Sequence, residues 1–116
     1  MSSPKSTIAV TAGTEQVTLI NVFIVEPYRQ DELIAALGRA TVDVFASVPG
    51  FLSANLHASL DGTRVINYAQ WASETAFQTA MSQPDVRRHV IESAALATSY
   101  DPTLVQVQAI HHPHEH

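Results

Sequence analysis

Residues 51–71 read FLSANLHASL-DG-TRVINYAQW, and this stretch decides the fold. In its first ten residues Leu52, Ala54, Leu56, Ala58 and Leu60 alternate with Ser53, Asn55, His57 and Ser59, the period-2 pattern of a strand with two different faces. Asp61-Gly62 is a dipeptide suited to a tight hairpin turn, because glycine enters positive φ without a steric penalty. Thr63 to Trp71 returns as a second strand, with Val65, Asn67, Ala69 and Trp71 on one parity. A two-residue loop pairs Leu60 with Thr63. That register puts Leu56 and Leu52 on the face of Asn67 and Trp71, and His57 on the other. A three-residue loop reverses the assignment, since one register step exchanges the faces.

Working outward from the hairpin, Gln16 to Val25 (QVTLINVFIV) is dense in β-branched residues and predicts a strand. Glu26-Pro27 ends it, and Asp31 and Glu32 open a helix. Leu33, Ile34, Leu37, Val44, Phe45 and Val48 share one helical face up to Pro49-Gly50. After the hairpin, Ser73 is placed to cap a short helix with Glu74 in its first turn. Pro84 suits the first position of a further helix reaching about Ala97. Tyr100-Asp101-Pro102 reads as a turn, and Thr103 to Ile110 as the last strand. The order β-α-β-β-α-β is the α+β, ferredoxin-like plan of four antiparallel strands with the helices on one face. Residues 1–15 read as a flexible lead-in, 16–110 as the domain, and 111–116 (HHPHEH) as a His-rich tail without a fixed place in the fold.

The 116 residues carry 6 Lys+Arg against 11 Asp+Glu, a net charge of −5, which argues against a nucleic-acid partner. With 46% hydrophobic residues the chain is no disordered polar segment. It has no Cys, so disulfides, thiolate metal sites and cysteine nucleophiles are excluded. No apolar run approaches the ~20 residues of a membrane span, and Met1 to Gly13 lacks the apolar block of a signal peptide. A cytoplasmic domain is the expectation. The first strand is apolar on both faces, with Val17, Leu19, Phe23 and Val25 on one side and Ile20, Val22 and Ile24 on the other. Ile66 and Tyr68 extend the second face. A second copy of the sheet is its simplest cover, so a homodimer is expected.

Polar residues inside such strands need a reason. Asn67 and Trp71 share a face, and Asn21 lies within the first strand. An unpaired buried amide costs about 1–3 kcal/mol, so each asparagine either satisfies a backbone group or water, or meets a ligand. Val86, Val90, Ala94 and Ala97 line one face of the last helix, with Arg87 at its margin. There an arginine ordinarily lays its stem along apolar surface. His57 reads more simply as a strand histidine at an interface than as a site residue. No phosphate-loop, dinucleotide or zinc-protease motif is present in the sequence.

The stretch Pro49 to Trp71 resembles the antibiotic biosynthesis monooxygenase family, and within it the cofactor-independent anthrone oxygenases of aromatic polyketide pathways. The resemblance implies a dimeric α+β barrel and an enzyme that oxidises a small aromatic substrate, anthrone- or hydroquinone-like, with O2 and no cofactor or metal. It places the family's N-x-x-x-W pattern on Asn67 and Trp71, its helix arginine on Arg87 and its strand histidine on His57. The relatives' proton-handling helix tyrosine corresponds to Phe77, which has no hydroxyl. That departure keeps open a non-catalytic ligand-binding or stress-response domain of the same fold. Haem-degrading members of the superfamily use an Asn, a Trp and a helix His. Asn21 and Trp71 match the first two, but Met81 stands where the histidine is required.

Overall fold

The β-branched run after Gln16 forms β1 (Val17–Ile24) in the computed structural model, which describes residues 6–114. It is followed by α1 (Gln30–Asp43), β2 (Phe51–Ala58), β3 (Arg64–Trp71), α2 (Glu74–Met81), α3 (Pro84–Ala94) and β4 (Ser99–Val105). The four strands form one antiparallel sheet in the order β2-β3-β1-β4. This is the expected ferredoxin-like α+β fold, with its second helical segment divided in two. Ser73 makes the predicted cap, its hydroxyl accepting from the Ala76 N–H at 3.1 Å. Pro84 opens α3, where its missing N–H has no helical partner to lose. Among the described residues no helix is long and apolar enough to cross a membrane.

The helices cover the sheet face carrying Val17, Phe23, Val65, Ala69 and Trp71. Two clusters form there. One joins Phe23, Val25 and Val65 to Leu33 of α1 and Ala94 of α3. The other joins Val17, Ala69 and Trp71 to Ala80 of α2. The opposite face presents the second parity of β1 together with Ile66 and Tyr68, half-buried, and Ile24, which is exposed. One end of that face is polar. Ser53 donates to the Gln70 side-chain oxygen at 2.7 Å, and Gln70 donates to the carbonyl of Ala9 at 2.7 Å. Part of the expected lead-in is thus held on the sheet. The predicted lead-in and tail extend, at 1–5 and 115–116, outside the described residues.

Three local expectations are corrected. The first helix stops at Asp43 rather than continuing to Val48, because Val44 leaves helical geometry (φ −125°, ψ −62°) and residues 45–47 form a 3-10 turn. Phe45 then packs against Phe51 and Trp71, so tertiary contact overrides local propensity. A β-bulge between Phe51 and Ser53 leaves Leu52 unpaired. Phe51 takes the helix-covered face opposite Trp71, and Leu52 is exposed. One inserted residue re-aims a side chain in this way. Finally, Tyr100-Asp101-Pro102 is no turn but part of β4, which ends at Val105 instead of Ile110. Proline is tolerated there because β4 is an edge strand bonded only to β1.

At the hairpin the Asp61 carboxylate accepts from the Thr63 hydroxyl at 2.7 Å, the Thr63 N–H at 3.0 Å and the Ser59 hydroxyl at 2.8 Å. These bonds, the Thr63 hydroxyl foremost, hold its pKa down at about 2. The folded value lies below the ~3.9 of an unfolded aspartate, so the contribution is complete above that pH and is lost as pH falls towards 2. Melting curves should therefore show a wild-type advantage over Asp61→Asn that is constant from pH 7 to 5 and shrinks between about pH 4 and 2. An advantage that persists undiminished at pH 2 would contradict this account.

Candidate active site

β1 and β3 pair so that Asn21 faces Asn67 directly, with Leu19 opposite Ala69 and Val17 opposite Trp71 on the same side. The two amides therefore lie in the middle of the helix-covered face, between the two apolar clusters. Small apolar side chains could close the core at this level. Amides cannot do so without partners, and a cavity of about 280 Å³ remains over them. Its walls are apolar apart from a few groups: Leu19, Phe23, Ala69 and Phe51 from the sheet, Leu37 and Ala40 from α1, Phe77 and Met81 from α2, Val90 from α3.

Asn21 is buried, and the side-chain oxygens of Asn21 and Asn67 are shielded from solvent with no hydrogen-bond partner among the described residues. The indole nitrogen of Trp71 is in the same condition. Native proteins rarely leave such groups unpaired, because each costs about 1–3 kcal/mol. Three of them around one cavity is a specific signal for a polar ligand group. The simpler reading, that each asparagine satisfies a backbone group, finds no bond to support it at either side-chain oxygen.

Trp71 is fixed by aromatic edges. Phe45, Phe51 and Phe77 approach it at ring-centroid distances of 6.2, 5.4 and 5.7 Å, all within about 13° of perpendicular. Edge-to-face packing of this kind holds a ring in one orientation. Gly50, at φ +84°, lets the chain pass close beneath α2, where a Cβ would meet that of Ala76 at 2.5 Å. Its carbonyl accepts from the Ala72 N–H at 2.8 Å, which ties the end of β3 to the start of β2.

Of the residues singled out from the sequence, Asn21, Asn67, Trp71 and Phe77 come together around the cavity, with Met81 beside them. His57 pairs with Ile66 on the opposite sheet face and is exposed, as the two-residue-loop register predicts. Arg87 does not reach the cavity. It is exposed on the outer side of α3, beside Pro84, Ile91 and Glu92, because its position is turned away from the Val86–Val90 face. Phe45, Phe51 and Tyr100 line the cavity without having been anticipated there. The first two depended on a helix break and a bulge. Tyr100 was hidden by the turn-like Asp-Pro that follows it. Among the described residues no group of three or more His, Cys, Asp or Glu side chains could hold a metal ion.

The profile of the antibiotic biosynthesis monooxygenase family matches residues 16–91. Tetracenomycin-F1 monooxygenase of Streptomyces glaucescens is 46% identical over 72 residues, 62% of this chain and 64% of that protein, so the match spans just under two-thirds of the relative. The crystal structure of SnoaB, a cofactor-independent oxygenase from Streptomyces nogalater, superposes with a TM-score of 0.72 at 26% identity, covering 84% of this chain and 97% of that one. The monooxygenase from the gene ActVA-Orf6 of Streptomyces coelicolor, solved with the ligand nanaomycin D, gives 0.72 at 28% identity over 87% and 94%.

The unpaired amide makes a prediction about stability alone. Replacing Asn67 with leucine, of similar size and no polar group, should raise the unfolding free energy of the ligand-free protein by about 1 kcal/mol or more. Chemical denaturation of Asn67→Leu beside wild type measures this. A less stable variant would mean that the amide is satisfied by the protein after all.

Proposed function

The chain belongs to the antibiotic biosynthesis monooxygenase family, and we propose that it oxidises a compact, electron-rich aromatic substrate, anthrone- or hydroquinone-like, with O2 and without metal or flavin. The observation that carries this reading is the set of three unpaired polar atoms on Asn21, Asn67 and Trp71 around an apolar, aromatic-walled cavity. The resemblance to a tetracenomycin-F1 monooxygenase and to a cofactor-independent oxygenase supports the choice of chemistry.

The substrate supplies the reducing power itself. Loss of a proton from the ring gives a carbanion or phenolate that reduces O2 directly. The protein's part is to hold the ring, keep out water and stabilise the oxyanion that develops. Asn67 donates its amide N–H to that oxygen, while the unpaired side-chain oxygens of Asn67 and Asn21 accept from hydroxyls of the substrate ring. Trp71 forms a flat wall and offers its indole N–H. It lies four residues from Asn67, about 13 Å along the strand, so the pair grips a planar ligand at two separated points. The cavity is near the lower end of the ~300–1,000 Å³ common for small-molecule sites, in keeping with a few fused rings. Arg87 and His57 have no part inside the cavity of one protomer in this reading. Haem degradation is disfavoured because Met81, not histidine, faces the cavity.

The working unit is a homodimer joined through the sheet face opposite the helices. Ile20, Val22, Ile24, Ile66 and Tyr68 give that face a continuous apolar centre, and an obligate dimer needs a large apolar interface, roughly 2,000 Å² or more. Sedimentation at micromolar concentration should give a dimer, and Val22→Arg should give a folded monomer or an insoluble chain. A monodisperse wild-type monomer would refute the assembly.

Activity is tested by O2 uptake on 1,8-dihydroxyanthrone and a naphthohydroquinone with a chelator present. Wild type should consume O2 well above the uncatalysed rate. Asn67→Ala should lower kcat about 100-fold or more, the usual effect of removing one oxyanion donor, whereas Trp71→Phe should chiefly alter KM. Tight binding of the corresponding quinones with no uptake over the panel would instead indicate a ligand-binding domain, the outcome that Phe77 favours.

A further inference from the structure

We propose that Tyr100 is the general acid of the cavity, its phenol reaching the oxygen that forms on the reacting ring carbon and delivering to it a proton that solvent then replaces; this rests on the oxygenase reading above. Asn21, Asn67 and Trp71 offer hydrogen bonds but do not exchange protons readily. The Thr41 hydroxyl donates to the Leu37 carbonyl at 2.9 Å within α1. Phe77 brings a bare ring. Among the described lining residues Tyr100 alone carries an ionisable group.

Its position suits the task. Tyr100 pairs with Phe23 across the β1–β4 ladder, and Pro102 pairs with Asn21. Both alternate positions face the cavity, so Tyr100 lies two residues along the sheet from the asparagine row, on the side away from Trp71. That spacing is roughly 7 Å, within the span of a ligand of two or three fused rings. Its ring packs on Phe23 at 6.0 Å between centroids with a 37° tilt. Tyr100 is also 50% exposed, whereas Trp71 at the far end is 2% exposed. The exposed lining residues, Tyr100 and Pro102, are both on β4. That edge is therefore the mouth, where a phenol can touch the ligand and solvent together.

A ring CH2 loses one proton to water, the carbanion gives an electron to O2, and the radical pair joins through a new C–O bond. The resulting peroxide anion takes the Tyr100 proton. Loss of water from the hydroperoxide breaks the O–O bond and leaves a carbonyl, and the tyrosinate regains a proton from solvent. Overall CH2 and O2 become C=O and H2O.

Tyr100→Phe keeps the ring that packs on Phe23 and removes only the hydroxyl. In the full chain, with 1,8-dihydroxyanthrone as substrate, it should lower kcat at least tenfold, since acid–base groups commonly contribute about 10²–10⁴, with KM changed less than threefold. A second readout does not depend on turnover. The visible band of bound 1,8-dihydroxyanthraquinone, which responds to hydrogen bonding at its oxygens, should differ between wild type and variant. An altered band with an inactive wild type would support the Tyr100 contact while removing the oxygenase reading. An unchanged kcat in an active enzyme, or an identical bound-state band, overturns the proposal.

Discussion

The register of β1 on β3 is the constraint on which the rest of this molecule depends. It sets Asn21 against Asn67 at the centre of the face that the helices must cover. An amide pair without partners cannot be sealed under leucine and valine at the usual gain from apolar burial. The core therefore divides into one cluster around Phe23, Leu33 and Val65 and another around Ala69, Trp71 and Ala80. The cavity occupies the gap between them. Shifting the register by one residue would put Asn21 on the opposite face from Asn67 and Trp71, so fold and site stand or fall on the same pairing.

The two clusters do different work. The first is ordinary aliphatic packing of α1 and α3 on the sheet. The second is built on aromatic edges around Trp71 and needs several departures from regular structure. The helix ends early at Val44, a bulge turns Phe51 inwards, and Gly50 admits the chain beneath Ala76. Each departure places an aromatic ring or makes room for one. Irregularities of this kind give up local stability, and here they collect at the end of the cavity that holds Trp71. At the other end the edge strand β4 carries Tyr100 and Pro102. A central strand would not tolerate that proline, whose missing N–H faces away from the sheet at no cost.

Apolar residues on both faces of β1 link the site to the proposed dimer. One face is consumed by the helices and the cavity, while the other ends in the polar network of Ser53, Gln70 and the Ala9 carbonyl but is apolar at its centre. A small domain has little core to spare. In the proposed dimer, covering the second face stiffens the sheet from behind, which keeps the two asparagines at a fixed spacing for the ligand.

By itself the sequence determined the element order, the hairpin, the helix starts at Ser73 and Pro84, and the common face of Asn67 and Trp71, while the hairpin register stayed open between a two- and a three-residue loop. These follow from alternation, turn chemistry and propensity, which act over a few neighbouring residues. It also brought Asn21, Trp71 and Phe77 into consideration, through amides misplaced among apolar residues and through the resemblance of residues 49–71. Only the tertiary structure decided that Asn21 faces Asn67, that Arg87 and His57 lie outside the cavity, and that Phe45, Phe51 and Tyr100 lie along it. The physical reason is the same in each case. Strand pairing, a bulge, a helix break and an edge proline are settled by contacts between residues far apart in the chain, whose free energy outweighs the local preferences that a sequence displays.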